Sequence, residues 1–175
     1  MAQAAAKGLL DDDLNALAAR LLRELDAGRL RIAVAESCTG GLLAAHLTDI
    51  EGYGSCFDRG FVTYTEEAKC DLLGIDPIDL RRHDAVSAEI ARQMAQGALN
   101  GSQADLGVAI TGFAGKAGTH DEEGLVFVAA KRRNGKLRTR ECHFGALGRE
   151  RVRELAVRAA LELSLDALAG AEAAP

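Results

Sequence analysis

The order in which strand-like and helix-like stretches follow one another is the feature that most constrains this fold. Short runs of apolar and β-branched residues are typical of strands. Such runs lie at residues 30–35, 60–64, 106–110, 125–131 and 137–144. Helical stretches separate the first three runs, whereas the last two flank Asn134-Gly135, a dipeptide that favours a hairpin turn. This alternation predicts an α/β fold, a three-layer α/β/α sandwich with a mixed central sheet.

Capping and helix-breaking residues set the expected boundaries of the helices. Leucine and alanine recur at steps of three and four between Asp11 and Gly28, which predicts an amphipathic helix that ends at the glycine. Thr65 and Ser87 are suitable N-caps for two further helices. We interpret Asp76-Pro77 as a break between these two helices, and we expect residues 51–60 to form a loop.

Composition limits the classes of partner and the compartment. The 175 residues are 48% hydrophobic, which predicts one domain with a sizeable core. We place this domain at 10–168, between expected flexible termini at 1–9 and 169–175. The net charge of −5 argues against nucleic acid as a partner, and we interpret the basic segment 131–140 as a solvated hairpin. No apolar run reaches membrane-spanning length, and the four scattered cysteines suit a reducing compartment. We therefore expect a cytoplasmic protein that contacts no membrane.

Three predicted strands end in sequence that carries reactive groups. The first is followed by ESCTGG at 36–41, the second leads into TYTEEAK at 63–69, and the third leads into TGFAG at 111–115. Ligands of open α/β sheets bind beyond the carboxyl ends of the strands. These three segments are therefore expected to converge on one site.

The ESCTGG segment has two interpretations. The free N–H groups of a helix N-terminus can hold an anion or an oxyanion, and Gly40 and Gly41 let a ligand approach the backbone. Ser37 is then a candidate nucleophile, with Cys38 as an alternative, since a helix N-terminus lowers a thiol pKa. The other interpretation is ordinary helix capping by Ser37 or Thr39.

A serine nucleophile needs a group that removes its proton. None of the four histidines lies in a recognisable catalytic motif. A lysine whose pKa is depressed can serve as the base with help from a tyrosine, and Tyr64 and Lys69 lie where both could point at one cleft. A surface lysine beside a packed tyrosine, and a plain turn at 111–115, are the alternatives for these segments.

Five segments in unbroken order carry a family resemblance. AESCTGG, VTYTEEAK, AVSAEIARQMAQGA, VAITGFAG and FGALGRERVR resemble the C-terminal domain of the competence-damage-inducible protein CinA. The resemblance covers about residues 10–168. It implies a nicotinamide-nucleotide amidohydrolase of pyridine-nucleotide salvage, which converts nicotinamide mononucleotide to nicotinate mononucleotide and ammonia. It also implies that neither a metal nor a cofactor is needed.

The resemblance assigns roles to residues that match the family motifs. Ser37 is the expected nucleophile, and Lys69 and Tyr64 are expected to activate it. Arg149 is a candidate phosphate ligand, and Glu36 is a carboxylate suited to the substrate's pyridinium ring. The remaining expected substrate-binding residues frame the two glycine-bearing turns, and they are Thr39, Gly40, Gly41, Thr111, Gly112 and Gly115.

One loop departs from the family pattern. The family continues as GIAGPGGG, whereas this chain has GFAGKAGTHDEEG, with Lys116 and Ala117 in place of Pro-Gly. Lys116 could supply charge for a phosphate, whereas the acids at 121–123 could repel one. The alternative function is therefore a catalytically impaired nucleotide- or partner-binding protein of the same family. For either function the expected partners are a small-molecule nucleotide and a second copy of the chain, with a dimer favoured.

Overall fold

The computed structural model describes residues 12–116, 118–119 and 121–169. Strands and helices alternate along this part of the chain and then give way to a hairpin and a final helix. In chain order they are α1 Asp12–Ala27, β1 Ile32–Glu36, α2 Leu42–Thr48, β2 Phe57–Val62, α3 Glu66–Leu73, α4 Pro77–His83, α5 Ala88–Asn100, β3 Leu106–Gly112, β4 Leu125–Arg132, β5 Leu137–His143 and α6 Arg149–Ala169. The predicted flexible segment 1–9 and residues 170–175 lie outside the described residues, while Ala169 ends α6.

The five strands form one mixed sheet in the order β2-β1-β3-β4-β5. β1 is parallel to both β2 and β3, whereas β4 is antiparallel to β3 and β5. Glu36, the last residue of β1, is in register with Val62 of β2 and Ile110 of β3. The segments that follow these three strands therefore start at the same edge of the sheet, as the sequence predicted.

The central strands β1, β3 and β4 are buried on both faces, and the two faces carry side chains of different sizes. Bulky residues such as Ile32, Val34 and Val108 face one hydrophobic cluster, which α1, α2 and α6 complete. Small residues such as Ala33 and Ala35 face a second cluster, which α3, α4 and α5 complete. The sheet therefore lies between two helical layers, which confirms the predicted three-layer α/β/α architecture.

Glycines let α5 approach its neighbours closely. A Cβ on Gly107 of β3 would meet the carbonyl oxygen of Ala95 and lie 2.7 Å from Leu99 Cγ. A Cβ on Gly97 of α5 would meet the carbonyl oxygen of Leu73 and lie 2.8 Å from its Cβ. The sheet thus fixes α5, and α5 in turn fixes the position of α3.

One local prediction was wrong, and another was incomplete. Residues 57–60, expected in a loop, belong to β2, because parallel pairing with β1 recruits them despite the polar Asp58 and Arg59. Asp76-Pro77, interpreted as a break, also begins α4. Asp76 accepts a hydrogen bond from Ile78 N at 2.7 Å as the N-cap, and the proline occupies the first helical position, where its missing N–H is harmless.

Within the described ranges, no helix is both long and apolar enough to cross a membrane.

We predict that Gly97→Ala destabilises the protein by about 1–3 kcal/mol, because the new methyl group overlaps Leu73. A loss of stability would point to the overlap, since in a helix without such a contact alanine is favoured over glycine by about 1 kcal/mol. Urea denaturation measures the effect. Gly54→Ala is the control, since a Cβ there has no atom within 4 Å. A Gly97→Ala protein as stable as the wild type would contradict the close packing.

Candidate active site

Ser37 is held at the carboxyl edge of the sheet. Its backbone N–H donates to Ile110 O of β3 at 3.0 Å, so the residue continues the ladder beyond the end of β1. On the other side, Thr63 N donates to Glu36 O at 2.8 Å. Only 8% of Ser37 is exposed. The sheet therefore fixes the backbone that carries the serine.

Lys69 reaches the serine from α3. Thr65 caps this helix by accepting a hydrogen bond from Ala68 N at 3.1 Å, as predicted, and Lys69 follows one turn later. The Lys69 ammonium nitrogen Nζ donates to Ser37 Oγ at 3.2 Å and to Thr63 O at 2.9 Å. Lys69 is 1% exposed. The two residues therefore form a buried serine–lysine pair.

The environment of the pair makes it easier for Lys69 to lose its proton. Burial lowers the pKa of Lys69 below its ordinary value, and the negative charge of Glu66 opposes this shift without cancelling it. A neutral amine has a lone pair that can accept a proton. Lys69 can therefore act as a base toward Ser37 Oγ at a lower pH than an exposed lysine could.

Cys38 is unsuited to be the nucleophile that the sequence offered as an alternative. The thiol is buried, and burial raises its pKa to about 12, although Arg149 and Arg153 lower it slightly. Since the thiolate is the reactive form, such a thiol is unreactive near neutral pH. The geometry therefore favours Ser37.

Ser37 and Lys69 open into one cavity of about 240 Å³. Its walls come from the ends of β1, β2 and β3, from the turn before α5, and from the start of α6. The lining residues are Ser37, Cys38, Tyr64, Lys69, Ala85, Val86, Thr111, Gly112, Phe113, Ala114, Gly115, Lys116 and Arg149. The cavity thus unites all three predicted strand ends with the late arginine.

Tyr64 and Arg149 meet at the cavity mouth. Tyr64 is 60% exposed, and its hydroxyl accepts a hydrogen bond from Arg149 Nη2 at 3.1 Å. Arg149 Nη1 also lies 3.7 Å from where a Cβ on Gly115 would be, and Lys116 is the next residue of that loop. The mouth therefore carries two cations, while the tyrosine hydroxyl contacts Arg149 rather than Lys69.

The turn predicted to cradle an anion is occupied by a carboxylate of the protein itself. Glu36 Oε2 accepts hydrogen bonds from Gly41 N at 3.1 Å and Leu43 N at 3.0 Å, and Oε1 accepts one from Ala44 N at 2.9 Å. The charge also complements the positive end of the α2 dipole. Glu36 therefore caps α2, which uses the N–H groups considered for a ligand.

The other turn residues have structural contacts as well. Gly40 and Gly41 have φ of 60° and 94°, in the left-handed region that favours glycine. Gly40 N donates to Ser37 O at 3.1 Å. The described lining of the cavity does not include Glu36, Thr39, Gly40 or Gly41. Their part in substrate binding stays a prediction.

The second glycine turn lines the cavity directly. Thr111 is buried, and its hydroxyl donates to Ala85 O at 2.8 Å, which ties the end of β3 to the turn before α5. A Cβ on Gly112 would lie 2.7 Å from Leu125 O, so a larger residue does not fit. Gly115 leaves room beside Arg149. These three predicted residues therefore shape one wall of the cavity.

Sequence reasoning missed several residues of this site. Ala85 and Val86 line the cavity, although the family segment that begins with them was given no role in the site. Arg153 was also missed, although it lies one helical turn after Arg149 and on the same face of α6. Arg153 donates to Thr39 O from Nη2 at 2.6 Å and from Nε at 3.2 Å. The four-residue spacing of the two arginines was the available signal.

A second, acidic cavity adjoins the first. It measures about 520 Å³ and shares Ala85, Val86 and Phe113 with the serine–lysine cavity. Its acidic residues are Glu66, Asp84, Asp121 and Glu122. The acids of the unusual loop therefore lie beside the candidate site, while Ala117 and His120 of that loop fall outside the described residues.

Among the described residues, no group of three or more His, Cys, Asp or Glu side chains is arranged to hold a metal ion.

The fold and the cavity define a class of α/β proteins that carry a buried serine–lysine pair at the carboxyl edge of the sheet. The CinA C-terminal domain model matches residues 14–168. The chain therefore belongs to the CinA C-terminal domain family, which confirms the resemblance seen in the sequence.

Relatives of two lengths are similar to this chain. The nicotinamide-nucleotide amidohydrolase PncC of Escherichia coli is 40% identical over 157 residues, which cover 88% of this chain and 94% of that protein. A CinA-like protein of Thermosynechococcus vestitus is 42% identical over 159 residues, which cover 89% of this chain and 38% of that protein. The chain thus spans little more than a third of the longer relative.

A solved structure is similar over nearly the whole fold. The crystal structure of the competence/damage inducible protein CihA from Agrobacterium tumefaciens has a TM-score of 0.89 and 44% identity. The match covers 93% of this chain and 99% of that chain. The family assignment thus holds for the three-dimensional fold as well as for the sequence.

We predict that Glu36→Gln destabilises the protein by about 1–3 kcal/mol. The amide keeps the shape of the side chain but places an N–H₂ donor against backbone N–H donors of α2. Urea denaturation measures the loss. Glu51→Gln is the control, since Glu51 is exposed. Equal stability of the two variants would contradict the capping role of Glu36.

We predict that phenylmethanesulfonyl fluoride modifies Ser37 at a rate that rises with pH as Lys69 loses its proton. Since burial lowers the pKa of Lys69, the pH at which the rate is half-maximal should lie below about 10.4, the pKa of an exposed lysine. Lys69→Met should slow the modification about a hundredfold or more. Mass spectrometry of the Ser37 peptide gives the rates. A Lys69→Met protein that reacts as fast as the wild type would rule out the lysine as the base.

Proposed function

We propose that this protein is an amidohydrolase that converts nicotinamide mononucleotide to nicotinate mononucleotide and ammonia, with Ser37 as the nucleophile. The observation that carries the proposal is the buried Lys69 Nζ, 3.2 Å from Ser37 Oγ and inside a shared cavity. The similarity to a nicotinamide-nucleotide amidohydrolase of nearly the same length supports this choice of substrate.

The first half of the reaction forms a tetrahedral intermediate on Ser37. Neutral Lys69 accepts the proton of Ser37 Oγ, and the oxygen attacks the carboxamide carbon of the substrate. The electron-withdrawing pyridinium ring assists the attack. The backbone N–H groups of Cys38 and Thr39 are the proposed donors to the oxyanion, since neither donates to a backbone carbonyl of the described residues.

The second half releases both products. The tetrahedral intermediate collapses, the C–N bond breaks, and the proton held by Lys69 moves to the departing nitrogen, so that ammonia leaves. A water molecule then gives a proton to Lys69 and attacks the ester carbon. The C–Oγ bond breaks, Ser37 regains its proton from Lys69, and the nicotinate product leaves. Every proton passes through groups that the protein supplies, so the proposed reaction needs neither a metal nor a cofactor.

The mouth of the cavity accounts for recognition of the nucleotide. A guanidinium can donate two parallel hydrogen bonds to a phosphate, and Arg149 lies at the mouth beside Lys116. Once Arg149 turns to a phosphate, the Tyr64 hydroxyl is released from its present contact and can take part in proton transfer at Ser37. The acidic cavity next to the site offers carboxylates near a pyridinium cation.

The alternative is a family member that binds a nucleotide or a protein partner without turnover. Asp121 and Glu122 favour it, because these acids of the unusual loop lie beside the candidate site and oppose a phosphate. This alternative predicts a rise in melting temperature with nicotinamide mononucleotide but no release of ammonia.

We also propose that the protein works in the cytoplasm and as a homodimer. All four cysteines are free thiols, which supports a reducing compartment. Small α/β enzymes commonly form symmetric dimers.

We predict that the purified protein releases ammonia from nicotinamide mononucleotide. Ser37→Ala and Lys69→Met should each lower kcat by about a thousandfold or more, because the nucleophile and its base act as a unit. A coupled ammonia assay measures the rate. Ser55→Ala and Lys136→Met are matched controls at exposed positions. Full activity of Ser37→Ala would refute the nucleophile, and binding without turnover by the wild type would favour the alternative function.

A further inference from the structure

Arg153 makes a contact that the mechanism above does not use. It lies in the second turn of α6, and its half-buried guanidinium donates to the Thr39 carbonyl oxygen through both Nη2 and Nε. A pair of charge-assisted bonds to one oxygen is stronger and more directional than a neutral contact. The guanidinium therefore fixes the direction of that carbonyl.

The carbonyl belongs to the turn that carries the nucleophile. Ser37 O accepts a hydrogen bond from Gly40 N, which closes the turn on one side, and Thr39 O also accepts one from Leu42 N at 3.3 Å. Peptide planes are rigid, so fixing the Thr39 carbonyl fixes the peptide between Thr39 and Gly40. A left-handed Gly40 lets that peptide turn easily in the absence of a partner.

Helix α6 provides a rigid base for this contact. Val152, the residue before Arg153, is fully buried, and Ala156 and Val157 of the next turn are buried as well. Arg149, one turn earlier, points to the cavity mouth instead. The same helix therefore carries one arginine at the substrate entrance and another behind the nucleophile turn.

We propose that Arg153 is a positioning residue, which holds the Ser37–Gly40 turn so that Ser37 Oγ stays in reach of Lys69 and the Cys38 and Thr39 N–H groups stay free for an oxyanion. The kinetic part of this inference rests on the proposed function. The structural part, the local restraint of the turn, does not depend on any substrate.

The first test uses Cys38, which lies inside the turn and is 6% exposed. Iodoacetamide should alkylate Cys38 about fivefold faster or more in Arg153→Ala than in the wild type, because local opening of the turn exposes the thiol. Peptide mass spectrometry separates the four thiols, and buried Cys56 reports on the rest of the fold. Arg151→Ala is the matched control, since it removes the same charge from an exposed position on α6.

The second test compares kinetic constants with nicotinamide mononucleotide. Arg153→Ala should lower kcat about ten- to a hundredfold with KM changed less than about threefold, because the reacting groups lose alignment while the substrate contacts remain. Arg149→Ala should mainly raise KM. Arg153→Lys should recover part of the lost kcat, since it keeps the charge but not both donors.

Each outcome decides the inference. The inference is supported if Cys38 is alkylated faster in Arg153→Ala, Cys56 is not, and kcat falls. Unchanged alkylation of Cys38, or an equal rise at Cys56, overturns it, because Arg153 would then be irrelevant or a general stabiliser. If Arg153→Ala does not fold, Arg153→Lys is used instead, and the ratio of the Cys38 alkylation rate to the Cys56 alkylation rate decides. If the wild type releases no ammonia, the proposed function fails while the alkylation comparison still decides the restraint.

Discussion

The contact between Lys69 Nζ and Ser37 Oγ is the interaction on which the site depends. A lysine withdrawn from water is costly unless hydrogen-bond acceptors surround it, and here Ser37 Oγ and Thr63 O supply two. Its position requires that α3 begin at Thr65 and lie directly on α5. The sheet, α3 and α5 together therefore position the serine and the lysine, although a short sequence motif carries each residue.

Two charged side chains inside this edge of the sheet have protein partners before any ligand binds. The Glu36 carboxylate neutralises the start of α2, and the Arg153 guanidinium meets the Thr39 carbonyl. The groups at the cavity mouth differ, because Tyr64, Lys116 and Arg149 are exposed. The protein thus separates a pre-organised interior, which suits chemistry, from a solvated entrance, which suits the recognition of a charged substrate.

Local signals in the sequence predicted a large part of this arrangement. Strand ends followed by polar turns located Ser37 and Lys69, and Thr65 and Ser87 cap their helices as expected. The errors came from contacts between distant segments. Residues 57–60 join β2 only because β1 lies alongside, and the capping of α2 by Glu36 leaves no local pattern. The spacing of Arg153 from Arg149 places both on one face of α6, but it does not identify Thr39 O as the partner of Arg153. Side-chain direction and distant partners are properties of the assembled fold.

The difference in side-chain size between the two faces of the sheet has a consequence for how this protein can change. Ala33, Ala35 and Ala109 of the sheet face the layer of helices that includes α3, which carries Lys69. Larger side chains at these alanine positions would not fit between the sheet and that layer. The opposite interface of leucine, isoleucine and valine can exchange volume among its members. Core substitutions should therefore accumulate beneath α1 and α6, while the residues between the sheet and the layer that carries Lys69 should change little.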